Sequence, residues 1–172
     1  IMKKYISMFM FALLGCFALV SCDTETDESA GGTAVEQMAG IWEVQVDAVD
    51  ENGNVLYEDP YGLGTITVNT YNTAANSDKE MWLQDAGFWG VQMKVNVDYA
   101  AKTFSAAAGS SYNPSNAEAG NVELLEGQVL LNQGKNLHGL PCDSICYKVK
   151  FSDDDNALTY RISGVRHSGF YE

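Results

Sequence analysis

His138, Cys142 and Cys146 recur at intervals of four, a spacing that would align metal ligands on one face of a helix. Gly139-Leu140-Pro141 breaks any such helix, so no metal is expected there. The two cysteines raise a second chemistry. A straight strand holds them too far apart for a bridge, which tolerates about 7 Å between α-carbons. Pro141 and Asp143-Ser144 are turn formers that would bring them together. A local Cys142–Cys146 disulfide is therefore one expectation, and two free thiols the other. Hydrolysis by a serine would call for a Gly-x-Ser-x-Gly elbow, which the chain lacks. The nearest matches are Gly109-Ser110-Ser111 and His167-Ser168-Gly169. An adjacent His and Ser on a strand point to opposite faces and do not pair readily. Asp153-Asp154-Asp155 fits a hairpin turn better than a pair of catalytic acids. No residue is assigned a catalytic role, and no cofactor is called for.

One cysteine has a different context. Met2-Lys3-Lys4 precedes an apolar run from Tyr5 to Val20, the pattern of a secretion signal, and the run is short for a bilayer span. Leu19-Val20-Ser21-Cys22 then resembles a bacterial lipobox, an aliphatic residue and a small residue before the cut and a cysteine after it. That resemblance implies a lipidated Cys22 and anchorage to a membrane through acyl chains, each CH₂ worth about 0.8 kcal/mol. Asp23 to Gly32 has no large apolar residue and reads as a tether. Its acids also resemble the export tags of surface lipoproteins in gut-type Gram-negative bacteria. The expected organisation is a signal peptide over 1–21, a lipidated cysteine and acidic tether over 22–33, and a folded domain over 34–172. The expected address is the outer membrane, on the cell surface or on the periplasmic face.

The formal net charge is −13, and removing Lys3 and Lys4 with the leader makes it two units more negative. No cluster of Lys or Arg interrupts the acid, so nucleic acid is excluded as a partner and anionic head groups are repelled. Any membrane contact is expected through lipid on Cys22.

The body must position whatever does the binding, and it alternates with period two. Trp42, Val44 and Val46 alternate with polar residues, as do Ile66 and Val68. Trp89, Val91, Met93, Val95 and Val97 form the longest such series. Tyr147, Val149 and Phe151, then Leu158, Tyr160 and Ile162, complete the pattern. Each series predicts a strand with one dry face. Turn-forming clusters at 50–54, 98–102 and 153–156 make the connections short and the neighbours antiparallel. Ala34 to Met38 predicts a short helical turn ahead of the first strand, and Ser110 to Gly120 a longer loop.

An all-β chain of this size hides its strand edges by closing a barrel or by stacking two sheets. Gly40-Ile41-Trp42 resembles the Gly-x-Trp signature of lipocalin-like barrels, which favours an antiparallel up-and-down barrel of about eight strands. In that superfamily an arginine of the last strand packs across the tryptophan. Arg161 and Arg166 are both candidates, and parity favours Arg166. The barrel-closing set is thus Gly40, Trp42 and Arg166.

Ala39 to Val44, Thr70 to Ala74, Met81 to Leu83, Phe88 to Tyr99, and Phe151 onward to Phe170 together resemble a family of small Gram-negative lipoproteins described as lipid-binding putative hydrolase. The resemblance implies a lipocalin-like barrel and a lipid or other apolar ligand. Candidate ligand contacts are Trp42, Trp89, Met93, Tyr147 and Phe151, large or adaptable groups on the expected inner face. Three functions follow: a lipid-binding module, a hydrolase acting on a lipid or glycan, and an accessory surface lipoprotein that docks other chains. A dry pocket of roughly 300 Å³ or more would mark the first.

Overall fold

The computed structural model describes residues 32–85, 87–108, 121–167 and 169. The signal, Cys22, Ser110 to Gly120, Ser168 and Phe170 lie outside the described residues.

Alternation of apolar and polar side chains builds the wall. The strands are β1 (Gly40–Val49), β2 (Val55–Glu58), β3 (Ile66–Asn72), β4 (Glu80–Asp85), β5 (Gln92–Asp98), β6 (Thr103–Ala106), β7 (Val122–Lys135), β8 (Pro141–Phe151) and β9 (Thr159–Arg166). A 3-10 turn over Glu36–Met38 precedes β1. The sheet runs β1-β3-β4-β5-β6-β7-β8-β9, and β9 pairs back onto β1, so eight antiparallel strands close on themselves. The closing seam extends from Trp42↔Arg166 to Val49↔Thr159. Gly164 makes that seam tight, since a Cβ there would sit 2.6 Å from the α-carbon of Val44. The chain is all-β, a closed lipocalin-like barrel.

β2 stands outside the ring. It pairs only with Asp47–Val49, taking over the edge of β1 where β3 leaves it. All four of its residues are exposed. Inward-facing side chains of the ring form one core, from Trp42 and Val44 through Met93 and Val95 to Tyr147, Tyr160 and Ile162.

Several elements depart from the periodicity. The series beginning at Trp89 starts at Gln92 in the sheet, and Trp89 belongs to the β4–β5 loop. Asp85 accounts for this, because its carboxylate gathers the N–H groups of Gly87, Phe88 and Trp89 into a turn. β4 carries Trp82 on its outer face, where Lys94 covers the ring, so its alternation is masked in the sequence. β7 is bent by Glu126 in the left-handed region (φ 47°) and again at Asn132 (φ 56°), each beside a register shift. Pro141, Asp143 and Ser144 form no turn; they lie within β8.

Candidate functional site

The two ends of the barrel are sealed differently. At the floor, the 3-10 turn lies across the opening. Trp42 is fully buried there. Its indole N–H donates to Thr70 Oγ1 at 2.7 Å, and that hydroxyl donates to the Met38 carbonyl at 2.6 Å. Arg166 lies over the indole, with Cζ 4.3 Å from the ring centroid. Its guanidinium donates to the carbonyls of Ala39 and Gln37 and to Asp143 Oδ2 at 3.0 Å. Gly40 leaves room for the guanidinium, which a Cβ there would push aside. A cation over an indole contributes about 0.5–2 kcal/mol. Arg161 instead faces outward and pairs with Asp47 at 2.7 Å.

At the mouth, loops supply the seal. Phe88 and Trp89 from the β4–β5 loop meet Phe151 and Tyr160, and Tyr61 from the β2–β3 loop joins them. Trp89 stacks on Phe151 with centroids 4.4 Å apart and planes 7° apart. Phe88 packs edge-on against Tyr160 at 5.0 Å. Among the described residues, four carboxylates hold the loops. Asp59 accepts from the N–H groups of Leu63 and Gly64 beside Tyr61, and Asp153 accepts from the Trp89 indole N–H. Asp85 accepts from the N–H groups of Gly87, Phe88 and Trp89 at 2.8–2.9 Å. Asp154 accepts from the N–H groups of Asn156 and Leu158 and from the Tyr160 hydroxyl. Burial alone would raise the pKa of Asp154, but these donors outweigh it and hold the carboxyl below its ordinary value. The Tyr160 hydroxyl is pushed far up by burial and by its bonds to Tyr61 and Asp154.

Beneath the plug lies a void of about 10 Å³, lined by Met93, Tyr147, Phe151, Asp85 and neighbouring apolar side chains. A wide pocket was the expectation for a carrier, and the void is far smaller. Phe88 and Trp89 close the mouth, and Tyr147, packed beside Phe104, fills the space below. Tyr147 has a second peculiarity. It is 2% exposed, and its hydroxyl has no hydrogen-bond partner among the described residues. Burial pushes its pKa well up, and the Asp85 carboxylate adds to the effect. A larger open hollow of about 570 Å³ is lined by Asn96, Asp98, Ser105 and Glu126 together with Val97 and Phe104. It does not connect with the apolar interior by any shared lining residue.

Of the five candidate contacts, Met93, Tyr147 and Phe151 line one void. Trp89 lies above it in the plug, and Trp42 lies at the opposite end. Of the two expectations for Cys142 and Cys146, the structure holds the free thiols. Four residues apart on one extended strand, their α-carbons are about 13 Å apart, well beyond bridging distance. Burial pushes both thiols above the usual range, and Asp143 adds to this at Cys142, so neither is an activated nucleophile. His167 meets Glu43 Oε1 at 2.7 Å on the outer side of β1, and His138 lies in the exposed β7–β8 turn. Neither lines the interior void.

Asp85, Phe88 and the Tyr61–Tyr160–Asp154 chain were missed by reading the sequence for chemistry. The available signal was Asp85-Ala86-Gly87, an aspartate ahead of a glycine, which favours a carboxylate-capped turn. Nothing local marks Tyr61 as a partner of Tyr160, ninety-nine residues away. No curated protein matches this sequence. Residues 27–171 match the family described as lipid-binding putative hydrolase. The match spans the whole closed barrel, Gly40 to Arg166, and the chain belongs to the lipid-binding putative hydrolase family.

Proposed function

We propose that this chain is an envelope lipoprotein, anchored through lipidated Cys22, whose barrel takes up a lipid or other small apolar molecule. The observation that carries the reading is the asymmetry of the seals. The interior is apolar, and its mouth is closed by side chains on loops, so opening it requires no strand pairing to break. The void of about 10 Å³ corresponds to a closed state, and a guest takes the space now held by Phe88 and Trp89. The family's description supports a lipid guest. The lipobox-like Leu19 to Cys22 supports the anchor, and the acid from Asp23 to Glu28 supports an outer-membrane address.

Native mass spectrometry of the domain from Gly32, purified from cells, tests the carrier. A co-purifying mass extractable into organic solvent is the expected result. A clean apo mass with no saturable lipid uptake defeats it. For the anchor, Cys22→Ala is expected to release the protein from membranes, and continued attachment defeats that part.

One observation favours a second reading. Val55, Leu56 and Tyr57 on β2 are 41–61% exposed, an apolar edge outside the ring. An accessory lipoprotein that docks other chains would use such an edge. In that case replacing Leu56 and Tyr57 with polar residues abolishes complex formation and leaves lipid uptake intact.

A further inference from the structure

The interior of the mouth holds two polar groups whose hydrogen-bonding capacity the fold does not exhaust. Tyr147 brings an O–H with no acceptor among the described residues. Asp85, 3% exposed, lines the same void. Its carboxylate takes three loop N–H groups. A carboxylate has about four lone-pair sites, so one acceptor position remains. The rest of the lining, including Met93, Leu124 and Phe151, is apolar.

A donor and an acceptor at one void define their complement. A ligand hydroxyl accepts from Tyr147 and donates to Asp85, satisfying both. A ligand carboxylate can accept from Tyr147 but meets Asp85 as a like charge in a medium of low dielectric. No lysine, arginine or histidine is among the buried residues described, so nothing inside offsets that repulsion. The void matches about one water in size, so a single hydroxyl fits this point without repacking. The alkyl chain behind it occupies the space of the displaced plug.

We propose that Tyr147 Oη and Asp85 form a hydroxyl-reading subsite that selects a neutral lipid alcohol over a fatty-acid anion. This inference rests on the lipid-binding reading and names the class of lipid.

The test uses the full chain and two probes of equal chain length, hexadecanol and hexadecanoate, displacing a fluorescent apolar dye at neutral pH. Hexadecanol is expected to bind about tenfold more tightly or better, the scale of one buried like-charge contact avoided. Tyr147→Phe is expected to weaken hexadecanol by about 3- to 10-fold, the loss of one hydrogen bond. The thermal midpoint of that variant stays the same or rises, so the lost affinity is not lost folding. Asp85→Asn keeps the shape and is expected to narrow the discrimination by admitting the anion. Equal or tighter binding of hexadecanoate overturns the subsite, as does an unchanged hexadecanol affinity in Tyr147→Phe. If hexadecanoate alone binds, the subsite falls and the carrier stands; if neither probe nor dye binds, the carrier itself falls.

Discussion

The floor and the mouth of this barrel use the same residue types to opposite effect. Each has a buried indole or phenol, an acid and a hydrogen-bonded aromatic. At the floor, Trp42 and Arg166 belong to β1 and β9 themselves, across from one another in the closing seam. Their partners are backbone carbonyls, a strand threonine and the carboxylate of Asp143 on β8. To open that end, the barrel has to unpair. At the mouth, Phe88, Trp89 and Tyr61 sit on loops, and what holds them is ring contact and the carboxylates of Asp59, Asp85 and Asp153. Opening that end requires the rings of Phe88 and Trp89 to leave their contacts, with the strand pairing intact. A seal built from strand residues is as stable as the fold, and one built from loop residues opens at a smaller free energy.

The strongest way to break the asymmetry is at the floor. Trp42→Ala removes a fully buried indole and its bond to Thr70. A destabilisation of about 3–5 kcal/mol is expected. Thermal unfolding should show the whole barrel losing stability together, with no selective change at the mouth. Next is Asp85→Ala, which releases three loop N–H groups. Bonds to a charged acceptor are worth about 1.5–3 kcal/mol each in favourable cases, and solvent compensates much of this once the loop opens. A loss of about 2 kcal/mol is expected. Hydrogen exchange should accelerate at residues 87–89 while the floor stays protected. Equal acceleration at both ends would erase the distinction.

Acid offers a gentler probe. Asp154 has its pKa lowered in the fold below 3.8, so it stabilises the β8–β9 loop at neutral pH. That stabilisation is fully present above the unfolded value and is lost as pH falls through the lower folded value. Below about pH 4, Trp89 fluorescence is therefore expected to change before Trp42 becomes exposed. Simultaneous exposure of both tryptophans would contradict independent seals. The smallest effect belongs to Tyr147→Phe. The hydroxyl removed has no partner among the described residues, so apo stability is expected to change by about 0 to 1 kcal/mol, toward greater stability. Chemical denaturation reads this directly, and a clear destabilisation would mean that the hydroxyl is satisfied in the apo protein.

Much of the wall could be read in advance. β1, β8 and β9 alternate cleanly because each has one wet face and one dry face. Gly40-Ile41-Trp42 pointed to the floor, since the glycine leaves space for a guanidinium and the indole fills the opening. β4 and β7 did not show the same clarity. Trp82 on the outside of β4 and the bends at Glu126 and Asn132 in β7 disturb the period while leaving the pairing intact. Trp89 misled for a related reason: its parity matches β5, but Asp85 captures its N–H and turns it into a loop. The Cys142–Cys146 spacing was ambiguous until pairing with β7 and β9 held β8 extended.

By itself the amino-acid order determined the strand class, favoured a barrel over stacked sheets through the resemblance at Gly40-Ile41-Trp42, and marked the lipobox-like segment at Cys22. Those are local properties, set by side-chain period, turn residues and short motifs. Only the tertiary structure decided that the interior is closed, that Tyr147 and Asp85 share one void, and that Tyr61 reaches Tyr160. These depend on how eight strands bring distant side chains to one place. No local pattern encodes the volume left between them.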